Sequence, residues 1–490
     1  MKALETIVLV LYGTSLAFIF CYSLVQLQLA GLYLWSKKKR PNISPVTMPA
    51  GWPTVTVQLP LYNEMYVAER LIDNIMALDY PANLLQVQVL DDSTDATTAM
   101  VANRVTAHQT AGRNIQHVRR PDRYGYKAGA LQYGLAAATG EFICIFDADF
   151  LPSSDFLKKT IPAFDAPEIG VVQTRWGHLN QDYSLLTQLQ AFGLNAHFTV
   201  EQTGRSAGKH FINFNGTGGI WRKSCILDAG GWQPDTLTED LDLSYRAQLR
   251  HWRFRYLEDV AAPAELPATM PAVKSQQFRW TKGAAETARK NLGQVLISKQ
   301  SLGTRLNAIF HLLNSTVFVC VLLTALLSIP ILLFSRQANA YTVWFSSGYF
   351  FLVSLLALFL FYFISFRQLN QTSHTGINYF LPKLFLFLSF SMGLSLHNSI
   401  AVIEGFLGKR SPFIRTPKFN IRSAEDRWQK SLYAVKNIPV ITWLEGILCL
   451  YFLTGIYLGF QLHHYGFIPF HVMLTLGYGG VFYYTVKHSR

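Results

Sequence analysis

The sequence predicts an α/β domain with a mainly parallel, mixed sheet, inserted between an N-terminal transmembrane helix and a C-terminal α-helical membrane bundle. Two observations predict it. Apolar residues are segregated into long runs at the two ends of the 490-residue chain. Between them, β-rich runs that end in acidic residues alternate with stretches of helix-favouring composition. A hydrophobic fraction of 50% against 15% charged residues excludes disorder, and the length exceeds one ordinary domain.

Residues 7–35 are almost uncharged, long enough for a spanning helix of about 20 residues. They end in Lys37-Lys38-Lys39-Arg40, a basic stop that belongs on the cytoplasmic side. A cleaved signal peptide would carry its charge ahead of a shorter apolar core, so residues 1–40 read as an anchor. Globular composition follows over 41–270, with an interfacial amphipathic segment at 271–305. Apolar runs return at 306–334, 343–366, 379–407, 438–460 and 467–486 within a bundle over 306–490. If all five crossed, Lys487, His488 and Arg490 would lie outside, against the positive-inside bias. The run 379–407 is the one expected not to cross, because Ser395, His397, Asn398, Ser399 and Glu404 are expensive in hydrocarbon. It reads as an interfacial or re-entrant helix, which leaves the basic loop 408–437, the C-terminus and the soluble domain all cytoplasmic in a multi-pass protein of the inner or plasma membrane. An ordinary crossing with a polar face is the alternative.

Lys and Arg number 43 against 30 Asp and Glu, a formal net charge of +13. The basic residues cluster at membrane flanks and form no nucleic-acid footprint, so the charge suits a lipid surface and an anionic substrate. Cys21, Cys144, Cys225, Cys320 and Cys449 show no CxxC or paired spacing, which excludes a zinc site or disulfide framework and fits a reduced compartment.

In the soluble part, residues 54–60, 87–92 and 141–147 are β-rich, separated by helix-favouring stretches such as 64–78 and 125–138. This rhythm suits βαβ units. In such sheets ligands bind beyond the carboxyl ends of the strands, so the residues to examine are Asn63-Glu64, Asp91 to Asp95, and Asp147-Ala148-Asp149. Period-two alternation would aim Asp147 and Asp149 the same way. Two hard oxygen ligands there can hold Mg²⁺ or Mn²⁺ with positions left for diphosphate oxygens, unless the segment is a solvated acidic turn. Asp91-Asp92 can accept hydrogen bonds from a base or ribose, or belong to an N-cap cluster with Ser93, Thr94 and Asp95.

The motifs Pro60-Leu61-Tyr62-Asn63-Glu64, Asp91-Asp92-Ser93-Thr94-Asp95, Gly125-Tyr126-Lys127-Ala128-Gly129, Asp147-Ala148-Asp149, Phe214-Asn215-Gly216-Thr217-Gly218-Gly219, Thr238-Glu239-Asp240 and Gln276-Gln277-Phe278-Arg279-Trp280 stand in the order and spacing of processive family 2 glycosyltransferases. The chain resembles a cellulose synthase-like enzyme of the mannan and glucan synthase branch. Phe413-Ile414-Arg415-Thr416-Pro417-Lys418 resembles that family's gating loop, with Arg415 where the pattern has Val. The resemblance implies a GT-A fold. It implies that Pro60, Tyr62, Glu64 and Asp92 form the nucleotide pocket and that Asp147 and Asp149 hold the metal on the diphosphate. Lys127 would neutralise phosphate charge, where the residue read alone is a surface lysine at a helix start. Asn215, Gly216 and Thr217 would face the acceptor in a glycine-rich loop, or form a plain turn. Asp240 is the expected general base, with Glu239 its local competitor. Gln276, Arg279 and Trp280 share one helical face. The resemblance gives them acceptor positioning, support of the leaving diphosphate and sugar stacking, and an amphipathic helix resting on the bilayer is compatible with all three. Phe413, Thr416 and Lys418 would close over the nucleotide, a lipid-bound polybasic segment being the rival.

The expectation is therefore an inverting transfer of hexose from UDP-glucose or GDP-mannose to a growing β-linked polysaccharide at the membrane. The alternative is a glycolipid synthase of the ceramide glucosyltransferase type. Intact acids at 92, 147, 149 and 240 and Arg279 argue against a degenerate domain on a transporter. The donor, glycan acceptor and lipid bilayer are the expected partners, no nucleic acid is, and an accessory subunit is left open.

Overall fold

The computed structural model describes residues 2–39, 51–334, 348–369, 376–421, 425–429, 432–433 and 438–489. Seven strands form one sheet: β1 (Val55–Leu61), β2 (Leu85–Asp91), β3 (Ile115–Val118), β4 (Phe142–Ile145), β5 (Ile169–His178), β6 (Gly219–Arg222) and β7 (Arg253–Ala264), in the order β3-β2-β1-β4-β6-β5-β7. Helices cover both faces, so the strands are buried on both sides; β4 is continuously apolar, while β1 and β2 alternate apolar with polar residues. Phe142 and Cys144 of β4 enter one core with Val55, Val57 and Leu71, while Ile143 and Ile145 enter the other with Leu131, Trp221 and Leu243. The polar residues of β1 are buried as well and find partners in register. Thr56 donates to Gln86 Oε1 at 2.8 Å and Gln58 Nε2 donates to Gln88 Oε1 at 3.0 Å across the parallel β1–β2 pair.

Strand direction decides where the site lies. β1, β2 and β4 are mutually parallel, so their carboxyl ends share one edge. β6 runs antiparallel to β4, which brings the loop before Gly219 to that same edge. β5 runs antiparallel to β6 and parallel to β7, so the ends of both, at His178 and Ala264, arrive there too. One mixed sheet therefore delivers every strand-end motif named above to a single rim.

The N-terminal helix Lys2–Lys39 does more than anchor. Its end reaches the sheet, where Lys37 Nζ lies 2.9 Å from Glu258 Oε1 and Tyr33 donates to the same carboxylate at 3.2 Å. Four helices among the described residues are long and apolar enough to cross a membrane: Ala3–Lys39, Thr316–Phe334, Leu352–Leu369 and Val440–Gln461. The run expected over 306–334 is broken, because Leu302–Leu312 forms its own helix before Thr316. The first part of the run expected at 343–366 lies outside the described residues. Residues 467–486 fall in a helix, Ile468–His488, that is not among the four.

The run 379–407 forms two helices, Ile377–Gly393 and Ser395–Leu407, bent by 49°. Two polar residues of its second half, His397 and Glu404, meet the 28-residue helix Met270–Ile297, while Ser395 bonds Tyr478. Glu404 pairs with Lys282 at 3.0 Å, and His397 Nε2 lies 3.0 Å from the Lys274 carbonyl. Lys274 in turn forms a buried 2.6 Å ion pair with Glu445 of the helix Val440–Gln461. The helix that carries Gln276, Arg279 and Trp280 is thus clamped on both sides by charge pairs away from water.

Candidate active site

At the carboxyl end of β1 the chain turns sharply through Asn63, whose φ of 55° is left-handed. The turn is held from the neighbouring strand end: Asn63 N–H donates to Ser93 Oγ and Thr94 N–H donates to Asn63 Oδ1, both at 2.8 Å. This presents Tyr62 and Glu64 to an open cleft. Asp92 follows β2, its carboxylate taken by Arg120 through two bonds of 2.8 and 2.6 Å, the bidentate geometry that suits guanidinium and carboxylate. The Arg123 guanidinium lies 3.3 Å above the Tyr62 ring, so a cation and an aromatic plate wall the cleft beside Asp92.

Asp147 and Asp149 follow β4 and are each met by an ammonium. Lys127 Nζ lies 2.5 Å from Asp147 Oδ1 and also donates to the Gly216 carbonyl at 3.0 Å. Burial works against the Lys127 charge, but Asp147, Glu239 and Asp240 outweigh it and hold the ammonium above the usual lysine range. Lys418 Nζ donates to Asp149 Oδ2 at 2.6 Å and to the Glu265 carbonyl at 2.9 Å. Burial opposes that charge too, and Asp149 with Glu265 prevails and raises it. Among the described residues no three His, Cys, Asp or Glu side chains gather as a metal-binding group.

Lys418 belongs to a segment that crosses the cleft after Gly408 ends the helix Ser395–Leu407 in a left-handed cap at φ 72°. Arg279 donates from Nη2 to Thr416 Oγ1 at 2.9 Å and from Nη1 to the Ile414 carbonyl, with the Phe413 ring 4.8 Å from its guanidinium. Burial lowers the Arg279 pKa to about 10. Arg415 reaches Glu64 at 3.5 Å and lies 3.9 Å over the Tyr433 ring. Burial pushes the Glu64 carboxyl up to about 8, against the opposing pull of Arg415 and Lys418.

Asp240 sits in the first turn of the helix Glu239–Leu249, whose start is pinned to the helix Met270–Ile297. Leu237 N–H donates to Glu286 at 2.7 Å and Asn291 donates to Asp242 at 2.9 Å. Across the cleft stands Gly216 at φ 78°; a Cβ there would lie 3.1 Å from Asp240 Oδ2, so only glycine lets the loop approach the carboxylate this closely. Burial first, and the Glu239 carboxylate second, raise Asp240 to about 7. Glu239 is raised by burial as well. A carboxylate poised near neutrality beside an ammonium can accept a proton from a hydroxyl. At this end the wall is aromatic. Trp280 lies 6.3 Å from Trp176, which stacks on Phe198 at 4.8 Å.

The sequence model of the Glycosyltransferase like family 2 matches residues 53–283, the stretch from β1 to the helix bearing Arg279 and Trp280. Residues 53–283 are a family 2 glycosyltransferase domain. The probable glucomannan 4-beta-mannosyltransferase 4 of Oryza sativa subsp. japonica is 44% identical over 275 residues, 55% of this chain and 50% of that protein. The glucomannan 4-beta-mannosyltransferase 7 of Arabidopsis thaliana is 42% identical over 255 residues, 51% of this chain and 46% of that protein. The chain spans about half the length of these curated relatives. Among solved structures, the mannosyltransferase PcManGT from Pyrobaculum calidifontis, in complex with GDP-Man and Mn²⁺, superimposes with a TM-score of 0.53 at 20% identity, over 81% of this chain and 100% of that one. This likeness establishes the GT-A fold.

Within the glycosyltransferase domain and its lid, the cleft gathers Pro60, Tyr62, Glu64, Asp92, Lys127, Asp147, Asp149, Asn215, Gly216, Asp240, Gln276, Arg279, Trp280, Phe413, Thr416 and Lys418. Thr217 is placed elsewhere. It is fully buried beneath the site, accepting from the Asp147 N–H at 2.9 Å, because the turn after Gly216 folds its side chain under β4. Sequence reasoning missed Arg123, Trp176, His178 and Glu265, all of which line the cleft. His178 is bonded to Asn195 at 3.1 Å and burial lowers its pKa to about 4, so it is a neutral group at neutral pH. Glu265 takes the Phe419 N–H at 2.9 Å and so holds the lid. Its only sequence signal is its place just after the last strand.

Proposed function

We propose that this chain transfers a mannosyl or related hexosyl unit, with inversion, from a nucleotide sugar to a β-linked glycan at a membrane. The relatives' names favour a mannosyl donor, and the reading rests on one observation above all: the Asp147–Asp149 pair, Asp240, the Arg279–Trp280 face and the lid segment converge on one cleft. The donor end accounts for the Arg123–Tyr62 stack and the Lys127 and Lys418 ammoniums, which suit a base and a diphosphate. The acceptor end accounts for the Trp176–Trp280 wall.

The site fits a divalent cation. Asp147 and Asp149 are hard oxygen donors, each already compensated by a cation, so positive charge between them is what the pocket is built to hold. Bound there with the donor, Mg²⁺ or Mn²⁺ would offset charge on the diphosphate. The chain's own residues do the rest. Asp240 takes the proton of the acceptor hydroxyl, whose oxygen forms the new bond to the sugar's anomeric carbon. The bond to the diphosphate breaks and its electron pair leaves on the phosphate oxygen, where Arg279 meets the charge. Trp280 and Trp176 stack on the acceptor, and the lid excludes water. The catalytic domain is read as cytoplasmic, with Lys37, Lys38 and Lys39 at the inner surface.

The test uses the full chain in nanodiscs with labelled GDP-mannose, UDP-glucose and their relatives, with and without EDTA, and Asp240→Asn as control. Ethanol-insoluble label from one donor, lost in the variant and on chelation, is the expected result. Label only in the organic phase would replace the polymer reading with the glycolipid one. No transfer from any donor would overturn both.

A further inference from the structure

Beneath the acceptor loop lies a polar relay that none of the roles above uses. The helices Leu185–Ala196 and Gln202–Ala207 are joined by one wide, π-helical turn, His197–Glu201, an irregularity that concentrates at functional places. The turn brings His197 Nδ1 to 2.9 Å from Glu201 Oε2, and Glu201 Oε1 receives Arg205 Nε and Nη2 at 3.0 and 2.9 Å. Glu201 and Arg205 are buried, at 8% and 1% exposure. The other imidazole nitrogen, Nε2, lies 3.1 Å from Asn215 Oδ1.

Both ring nitrogens thus face oxygen atoms, so His197 bridges Glu201 and the Asn215 amide. The amide orientations that fix this are anchored on backbone. Gln202 spends its two amide hydrogens on the Asn213 carbonyl at 3.4 Å and Asn213 Oδ1 at 3.1 Å, which leaves none for His197 Nε2, 3.5 Å away. Asn213 Nδ2 therefore points at Asn215 Oδ1, at 2.8 Å, and Asn215 Nδ2 sends one hydrogen to the Asn213 carbonyl at 3.4 Å. With Oδ1 saturated by His197 and Asn213, the group Asn215 has left to offer is its second amide hydrogen. Asn215 lines the cleft one residue before Gly216, the residue pressed against Asp240.

We propose that His197, held by Glu201, is a positioning residue that keeps the Asn215 amide in place, so that Asn215 donates a hydrogen bond to a hydroxyl oxygen of the acceptor sugar while that sugar's reactive hydroxyl gives its proton to Asp240. The inference rests on the glycan-acceptor reading.

The test compares the full chain in nanodiscs as wild type, His197→Ala and His197→Gln, the last keeping an amide N–H where Nε2 stands. Binding of a β-1,4-linked manno-oligosaccharide is followed by tryptophan fluorescence, alongside KM for donor and for acceptor. His197→Ala raises the acceptor Kd and KM tenfold or more, His197→Gln recovers most of the loss, and donor KM stays within twofold in both. Equal acceptor binding in all three, or a loss shared equally by donor and acceptor, overturns the inference and leaves the glycan reading standing. A wild type that binds no oligosaccharide overturns both.

Discussion

Asp240 is half ionised near neutrality, because burial and then the Glu239 carboxylate raise it to about 7. A base must be deprotonated to act, so kcat/KM rises with pH through this value. At pH 6 about 9% of the carboxylate is ionised and at pH 8 about 91%, a rate ratio of roughly ten. The assay is initial transfer from labelled donor at saturating acceptor, from pH 5.5 to 9. Two variants give the limb a sign. Glu239→Gln removes a charge that raises Asp240, so the limb moves to lower pH. Lys127→Met removes a charge that lowers it, so the limb moves to higher pH. Because Glu239 and Asp240 interact, the midpoint belongs to the pair, but the direction of each displacement does not depend on how the proton is shared. Asp240→Asn removes the limb and about 10²- to 10⁴-fold of the rate. A profile flat from pH 5.5 to 8, or a Glu239→Gln limb displaced toward alkaline pH, would refute the assignment of Asp240 as base.

Lys418→Met strips Asp149 of its 2.6 Å partner and the lid of its buried anchor; limited proteolysis within residues 408–420 accelerates several-fold without donor, and donor KM rises. Lys274→Met leaves the fully buried Glu445 carboxylate uncompensated at a cost of about 3–5 kcal/mol. The thermal midpoint in detergent falls by several degrees, and the double variant with Glu445→Leu recovers part of it. Gly477→Ala puts a Cβ 2.0 Å from the Ser389 carbonyl, where the helices Ile377–Gly393 and Ile468–His488 touch backbone to backbone. The expected result is a drop in monodisperse yield, with Gly480→Ala, which meets open space, as the unaffected control.

The strand-end acids were legible because each motif is local: the β-rich run, the turn and the acid lie within a few residues, as at Phe146-Asp147-Ala148-Asp149. Parallel-sheet topology then carries them to one rim without further information. The partners that set their chemistry were not legible. Arg120 on Asp92 and Lys418 on Asp149 are separated from them by 28 and 269 positions, and nothing in either neighbourhood names the other. His197 and Glu201 belong to none of the sequence motifs, and it is the π-helical turn that sets His197 between Glu201 and Asn215. In the membrane part, hydropathy located the apolar runs but not their breaks. His397 and Glu404 find partners on Met270–Ile297 and Ser395 finds Tyr478, contacts that no window average contains.

The lid makes the charge arithmetic of the cleft coherent. Asp147 is met by Lys127, Asp149 by Lys418 and Glu64 by Arg415, while Arg279 spends its donors on the lid's own Ile414 carbonyl and Thr416 hydroxyl. The Asp147–Lys127 and Asp149–Lys418 charges are ones that would be costly alone in a buried site and tolerable as pairs. A diphosphate entering the cleft would meet Arg123, stacked on Tyr62, and Arg279, bonded to neutral groups, directly, whereas Lys127 and Lys418 would have to leave Asp147 and Asp149 to reach it. On the proposed reading, Asp147 and Asp149 would then be free to hold a divalent cation, whose charge would replace that of Lys127 and Lys418.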